Sequence, residues 1–155
     1  MKRVRSEDVM LETPVQPGHL SQAGAWFMTM YPEVEATPEK IGQAQTYFEQ
    51  SFLDRPDSAF WGVTVEGVPV GILGLLERNP ITETAIIFGI GDRQLIEREY
   101  AGLGRMMVQW MTSAMVPGRF KLLRAYCRET VISNMMTKAG FEEIDLNDRA
   151  MVFRG

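Results

Sequence analysis

The stretch Glu99-Tyr100-Ala101-Gly102-Leu103-Gly104-Arg105-Met106-Met107 follows an apolar run at Thr82 to Ile90 and opens a segment in which Met107, Trp110, Met111 and Ala114 recur on one helical stripe. A strand, a glycine turn and an amphipathic helix in that order place backbone amides at a helix start. Glycine lets a phosphate approach the chain closely, and the first amides of the helix offer donors at the positive end of its dipole. The full dinucleotide pattern G-x-G-x-x-G is absent, because Met107 occupies the third glycine position.

Downstream, Val116-Pro117-Gly118 ends the helix, and Lys121 to Tyr126 reads as a buried strand. Ile132, Met135, Met136 and Ala139 then share a helical face that Gly140 terminates, in a position suited to positive φ. Phe141 to Ile144 and Met151 to Phe153 read as closing strands around a turn at Asn147-Asp148. At helical spacing the methionine-rich stripes read as core.

Upstream, Thr82 to Ile90 is too continuously apolar for a solvated edge and is expected at the centre of a sheet. Phe60 to Glu66 and Val68 to Leu76 form a hairpin turning at Glu66-Gly67. Val9 to Val15 supplies a short first strand. Ala23, Trp26, Phe27 and Met30 mark one helix, and Thr37-Pro38-Glu39 caps a second that carries Ile41, Ala44, Phe48 and Phe52. Residues 1–8 read as a polar, flexible start to one domain spanning 1–155.

This order of elements, with the Gly102-Leu103-Gly104 turn and the downstream Lys138-Ala139-Gly140-Phe141, resembles the GNAT family of acyltransferases. Its motif A reads [Arg or Gln]-x-x-Gly-x-[Gly or Ala], and a helix ending in Lys-x-Gly-Phe follows. The resemblance in order runs over roughly residues 9 to 155, and its specific signatures lie within 85 to 141. It implies an α/β fold: a central mixed, mostly antiparallel twisted sheet of about six or seven strands flanked by about four helices. It implies an acetyl-CoA cosubstrate, with Gly102, Leu103, Gly104 and Arg105 cradling the pyrophosphate. Phe88, Gly89 and Ile90 would pair with pantetheine amides in a slot where the central strand splays from Lys121 to Tyr126.

The implied activity is N-acetyl transfer to an amine of a small molecule or protein. A protein need only position the reactants, remove an ammonium proton and steady developing charge. Glu83 and Glu129 are candidate bases, and Tyr126 or Tyr100 candidate donors. Each has a plainer reading, the glutamates as solvated strand-end residues and Tyr126 as core. Two positions depart from the family. Glu99 stands where Arg or Gln is usual, and would turn away or pair with Arg98 or Arg105. Met136 stands where many members have a proton-donating tyrosine, so a GNAT-like domain serving as a structural or protein-binding module is the alternative.

Composition narrows the class. The 155 residues are 45% hydrophobic, enough for a real core, and carry 16 basic against 20 acidic side chains for a net charge of −4. No general nucleic-acid or anionic-membrane binder is indicated. The charge is uneven: residues 93–128 hold seven basic and two acidic side chains, whereas residues up to Asp92 hold six basic and thirteen acidic. An anionic ligand suits the former and a cationic acceptor the latter.

A lone Cys127 forms no intramolecular disulfide and reads as a buried thiol, His19 as a loop or helix-start residue. No metal-ligand spacing, signal peptide or membrane span is read, and a cytoplasmic setting fits. A homodimer or larger assembly stays open.

Overall fold

The computed structural model describes residues 2–115, 120–127, 129–145 and 150–154. The expected stop at Val116-Pro117-Gly118 and the turn at Asn147-Asp148 fall outside these residues, as do Arg119 and Arg128. Seven strands form one mostly antiparallel sheet: β2 (Val9–Glu12), β3 (Ala59–Val65), β4 (Val68–Asn79), β5 (Thr84–Gly91), β7 (Leu122–Tyr126), β9 (Ala150–Phe153) and β8 (Glu142–Asp145), in that spatial order. β5 is the fourth of the seven, as its apolar run predicts. A separate two-stranded pair joins β1 (Lys2–Arg3) to β6 (Tyr100–Ala101).

The helices are α1 (Pro17–Leu20), α2 (Ala23–Met28), α3 (Pro38–Phe48), α4 (Arg93–Glu99), α5 (Leu103–Trp110) and α6 (Thr130–Lys138). Two of the six, α1 and α4, exceed the sequence reading. α4 is capped by the Asp92 side chain, which accepts from the Leu95 amide at 3.1 Å, and is braced by Arg93 and Glu97 at 3.0 Å. No described helix is long and apolar enough to cross a membrane.

By internal packing the chain falls into two compact units, Met1–Gly74 with Gly89–Leu103, and Leu75–Phe88 with Gly104–Gly155. In the first, β2 pairs antiparallel with β3, Val9 opposite Val65 and Glu12 opposite Gly62. The predicted turn joins β3 to β4, with Glu66 and Gly67 both at positive φ. Thr37 caps α3 through its hydroxyl, which accepts from the Lys40 amide. α2 and α3 contribute the buried Trp26, Phe27, Ala44 and Phe48, and the Phe48 ring meets that of Phe60 edge-on at 5.6 Å.

His19, in α1, is almost wholly buried, with Nε2 3.1 Å from the Val63 carbonyl and 3.0 Å from Thr64 Oγ1, whose hydroxyl donates to Glu12. Residues 2–8, expected as a polar start, make specific contacts in the first unit. The Val4 side chain is buried, its amide donates to the Ala101 carbonyl at 3.1 Å, and Ser6–Asp8 make a 3₁₀ turn into β2. Short paired segments of two residues carry no period in a sequence.

In the second unit β5 and β7 run parallel, Thr84 opposite Leu122, Ala85 opposite Leu123 and Ile86 opposite Arg124. β9 pairs antiparallel with both β7 and β8. Leu123, Ala125, Met136, Phe141 and Met151 are buried in its core. α6 ends as Gly140 predicts: at φ 104° it donates to Thr137 O, while the Phe141 amide donates to Met136 O. These two bonds define a Schellman cap, and the buried Met136 and Phe141 supply its apolar contact.

Candidate active site

The glycine turn lies between β6 and α5. Gly102 follows β6 with φ 84°, is exposed, and would have open space around an added Cβ. Leu103, the first residue of α5, is fully buried and anchors the helix start. Arg105 is exposed. Gly104 serves a different need: a Cβ there would stand 3.2 Å from Met135 Sδ, so its smallness lets α5 approach α6. An exposed, unobstructed glycine at positive φ thus stands immediately before a helix of eight residues, where the chain leaves room for a group to approach its backbone.

Glu99 is the last residue of α4, and its carboxylate turns to Arg98, with Nε to Oε1 at 3.1 Å. The misplaced acid of the motif is thus partly neutralised by its neighbour, one of the two partners expected for it. Both groups are well exposed, so the pair contributes little to stability.

The central strand alternates at its far end: Phe88 and Ile90 are buried and Gly89 is exposed. Its parallel ladder to β7 ends at Ile86 and Arg124 among the described residues, although β5 continues through Ile87 and Phe88 and β7 through Ala125 and Tyr126. Ile86 and Arg124 thus mark the Tyr126 end of the ladder.

Tyr126 lies at that end, 54% exposed, and is therefore not core. Glu129 is half-buried at the N-cap position of α6, shortly after the end of β7, without capping the helix through its side chain. Glu83 lies at the opposite, paired end. It has φ 56°, its carbonyl accepts from the Lys121 amide, and its carboxylate faces Lys121 Nζ at 3.2 Å. The structure thus separates the three candidates into two toward one end of the β5–β7 ladder and one at the other.

Tyr100 is half-buried in β6. Met136 belongs to the core through the α6 cap, and its thioether side chain has no proton to donate. Cys127 is buried, and desolvation pushes its thiol pKa up, against a role as nucleophile. Among the described residues no group of His, Cys, Asp and Glu could hold a metal ion.

Arg124, one of the seven basic side chains of residues 93–128, has its guanidinium 3.6 Å from Glu77 on β4, where Glu77 is at φ 50°. Arg124 and Tyr126, two residues apart on β7, lie on one face of the strand, opposite the buried Leu123 and Ala125.

No family model matches the chain, and no curated protein matches its sequence. Solved structures do match its fold. An acetyltransferase from Streptococcus agalactiae superposes with a TM-score of 0.68 at 15% identity, covering 96% of this chain and 99% of the other. The PaiA N-acetyltransferase of Thermoplasma acidophilum, solved in complex with coenzyme A, gives 0.66 at 14% identity, covering 95% and 99%. A variant of the spermidine N-acetyltransferase SpeG from Vibrio cholerae gives 0.67 at 10% identity, covering 96% and 95%. Strand order, the glycine turn and these superpositions agree: the chain has the fold of the GNAT acetyltransferases.

Proposed function

We propose that this protein is an acetyl-CoA-dependent N-acyltransferase, passing the acyl group directly to an amine of a small molecule or protein. The observation that carries the reading is Gly102, exposed and at positive φ immediately before α5, in the fold of the acetyltransferases. The amides from Gly102 to Arg105 would hold the pyrophosphate, and the strand edge at Phe88, Gly89 and Ile90 the pantetheine amides.

Bound acetyl-CoA supplies the activated acyl group. The amine nitrogen attacks the thioester carbonyl, the carbon–sulfur bond breaks and the ammonium proton must leave. Glu129 is the proposed acceptor of that proton and the Tyr126 hydroxyl the proposed donor to the thiolate, since Tyr126 ends β7 and Glu129 follows it at the start of α6. The excess of acidic side chains before Asp92 favours a cationic amine.

The test is calorimetry with acetyl-CoA on the unmodified protein, Gly102→Asn and Gly102→Asp. Asn and Asp both tolerate positive φ and are nearly isosteric, so they differ in charge at the cradle. Binding by Asn with a loss of tenfold or more in Asp supports the cradle, and an amine screen follows. No binding by the unmodified protein sinks the reading.

A second reading rests on Met136, whose burial in the helix cap removes the usual proton donor. Tight acetyl-CoA binding without turnover on any amine would make the domain a binding module.

A further inference from the structure

Gly102 is useful as a phosphate cradle only if its flexibility is suppressed before the ligand arrives, because fixing a glycine on binding costs affinity. On the helix side Leu103 and Gly104 are held by burial and by Met135. On the other side α4 ends at the exposed Glu99, and Tyr100 and Ala101 are not part of the main sheet. The strand pairing there comes from the N-terminus: Lys2 lies opposite Tyr100, Arg3 opposite Ala101, and the Val4 amide donates to the Ala101 carbonyl at 3.1 Å. Val4 is buried, so the segment is pinned by packing as well as by hydrogen bonding.

We infer that Lys2 to Val4 form a strap that sets the backbone of Tyr100 and Ala101 and thereby preorganises Gly102, with Val4 as a positioning residue for the acetyl-CoA site. The inference rests on the proposed acetyl-CoA reading. The strap touches the residue immediately before the cradle, so its loss acts on the cradle through the chain rather than through the ligand.

The experiment compares the full chain with Val4→Pro, which removes the donated N–H, with deletion of Lys2 to Val4, and with Val4→Ala, which keeps the N–H and trims the side chain. Hydrogen exchange of the peptide spanning 100–105 is read beside acetyl-CoA affinity and steady-state kinetics. Loss of protection confined to 100–105 in the first two variants, with a smaller loss in Val4→Ala, is expected. With it should come an affinity about tenfold weaker and a raised KM for acetyl-CoA, with kcat at saturation and the amine KM unchanged.

Unchanged exchange at 100–105 in both strap variants overturns the inference. So does exchange lost throughout the chain, which would make the strap a general stabiliser, or lost protection with unaltered affinity. If the unmodified protein binds no acetyl-CoA, the enzyme reading fails and with it the strap's role toward this ligand, while the exchange data still decide whether the strap orders the turn.

Discussion

Lys121 closes on Glu83 at two points: its Nζ lies 3.2 Å from Glu83 Oε2, and its backbone N–H donates to the Glu83 carbonyl at 2.7 Å. The double contact starts the parallel β5–β7 ladder and commits Glu83 to holding it. Glu83→Gln should leave kcat within about twofold. It should also cost stability on the order of 0 to 1 kcal/mol, since both side chains are substantially exposed. Urea melts and acetyl-transfer rates measure the two quantities; a hundredfold fall in kcat would instead make Glu83 the base.

Glu129→Gln and Tyr126→Phe should lower kcat about a hundredfold to ten-thousandfold with little effect on acetyl-CoA affinity, the range usual for loss of a proton-transfer group. Rates over a pH series distinguish them: the limb that Glu129 controls should vanish in its variant. Full activity in both would place the proton transfers elsewhere.

Gly140→Ala combines two costs. Its φ of 104° disfavours any side chain, and a Cβ would stand 3.1 Å from the Phe153 ring. A loss of about 1 to 3 kcal/mol is expected, read from urea unfolding, with Asn in place of Ala recovering part of it.

The Gly62→Ala variant should be destabilised by about 1 to 3 kcal/mol through overpacking. The added methyl would meet the His19 ring at 2.8 Å, and that ring is held at Nε2 by Val63 and Thr64. Pairing it with His19→Ala should return part of the loss, a coupling that a double-mutant cycle measures.

Cys127 should react slowly with iodoacetamide in the folded protein. Burial disfavours the thiolate and raises the pKa, so the reaction should accelerate only as pH climbs above the ordinary thiol range. The same shift makes its contribution to stability complete below the unfolded pKa and lost as pH rises through the folded one. Rapid labelling at neutral pH of a protein shown to be folded would contradict the assignment.

The large elements were legible because their patterns are long. The run around Ala85 to Phe88 identifies a central strand, the Glu66-Gly67 turn a hairpin, and Gly140 a helix end, and each is found. α4 was missed although Asp92 and the Arg93–Glu97 spacing announce it, because Leu95 and Ile96 alone make no apolar face. At the candidate site, the turn at Gly102 was readable as backbone chemistry. The two meanings of its glycines were not, since only packing shows that Gly102 faces open space while Gly104 faces Met135. Glu83 and Glu129 look alike in sequence, and the strand register is what separates them.

The pairing of Lys2 with Tyr100 and Arg3 with Ala101 joins the beginning of the chain to its hundredth residue. Such a contact has a high closure entropy and forms late relative to local helices and hairpins. On refolding, helical signal and core burial should return before the stretch ahead of α5 is locked. Competence to hold a ligand there would be among the last properties the molecule recovers, lagging behind its overall compaction.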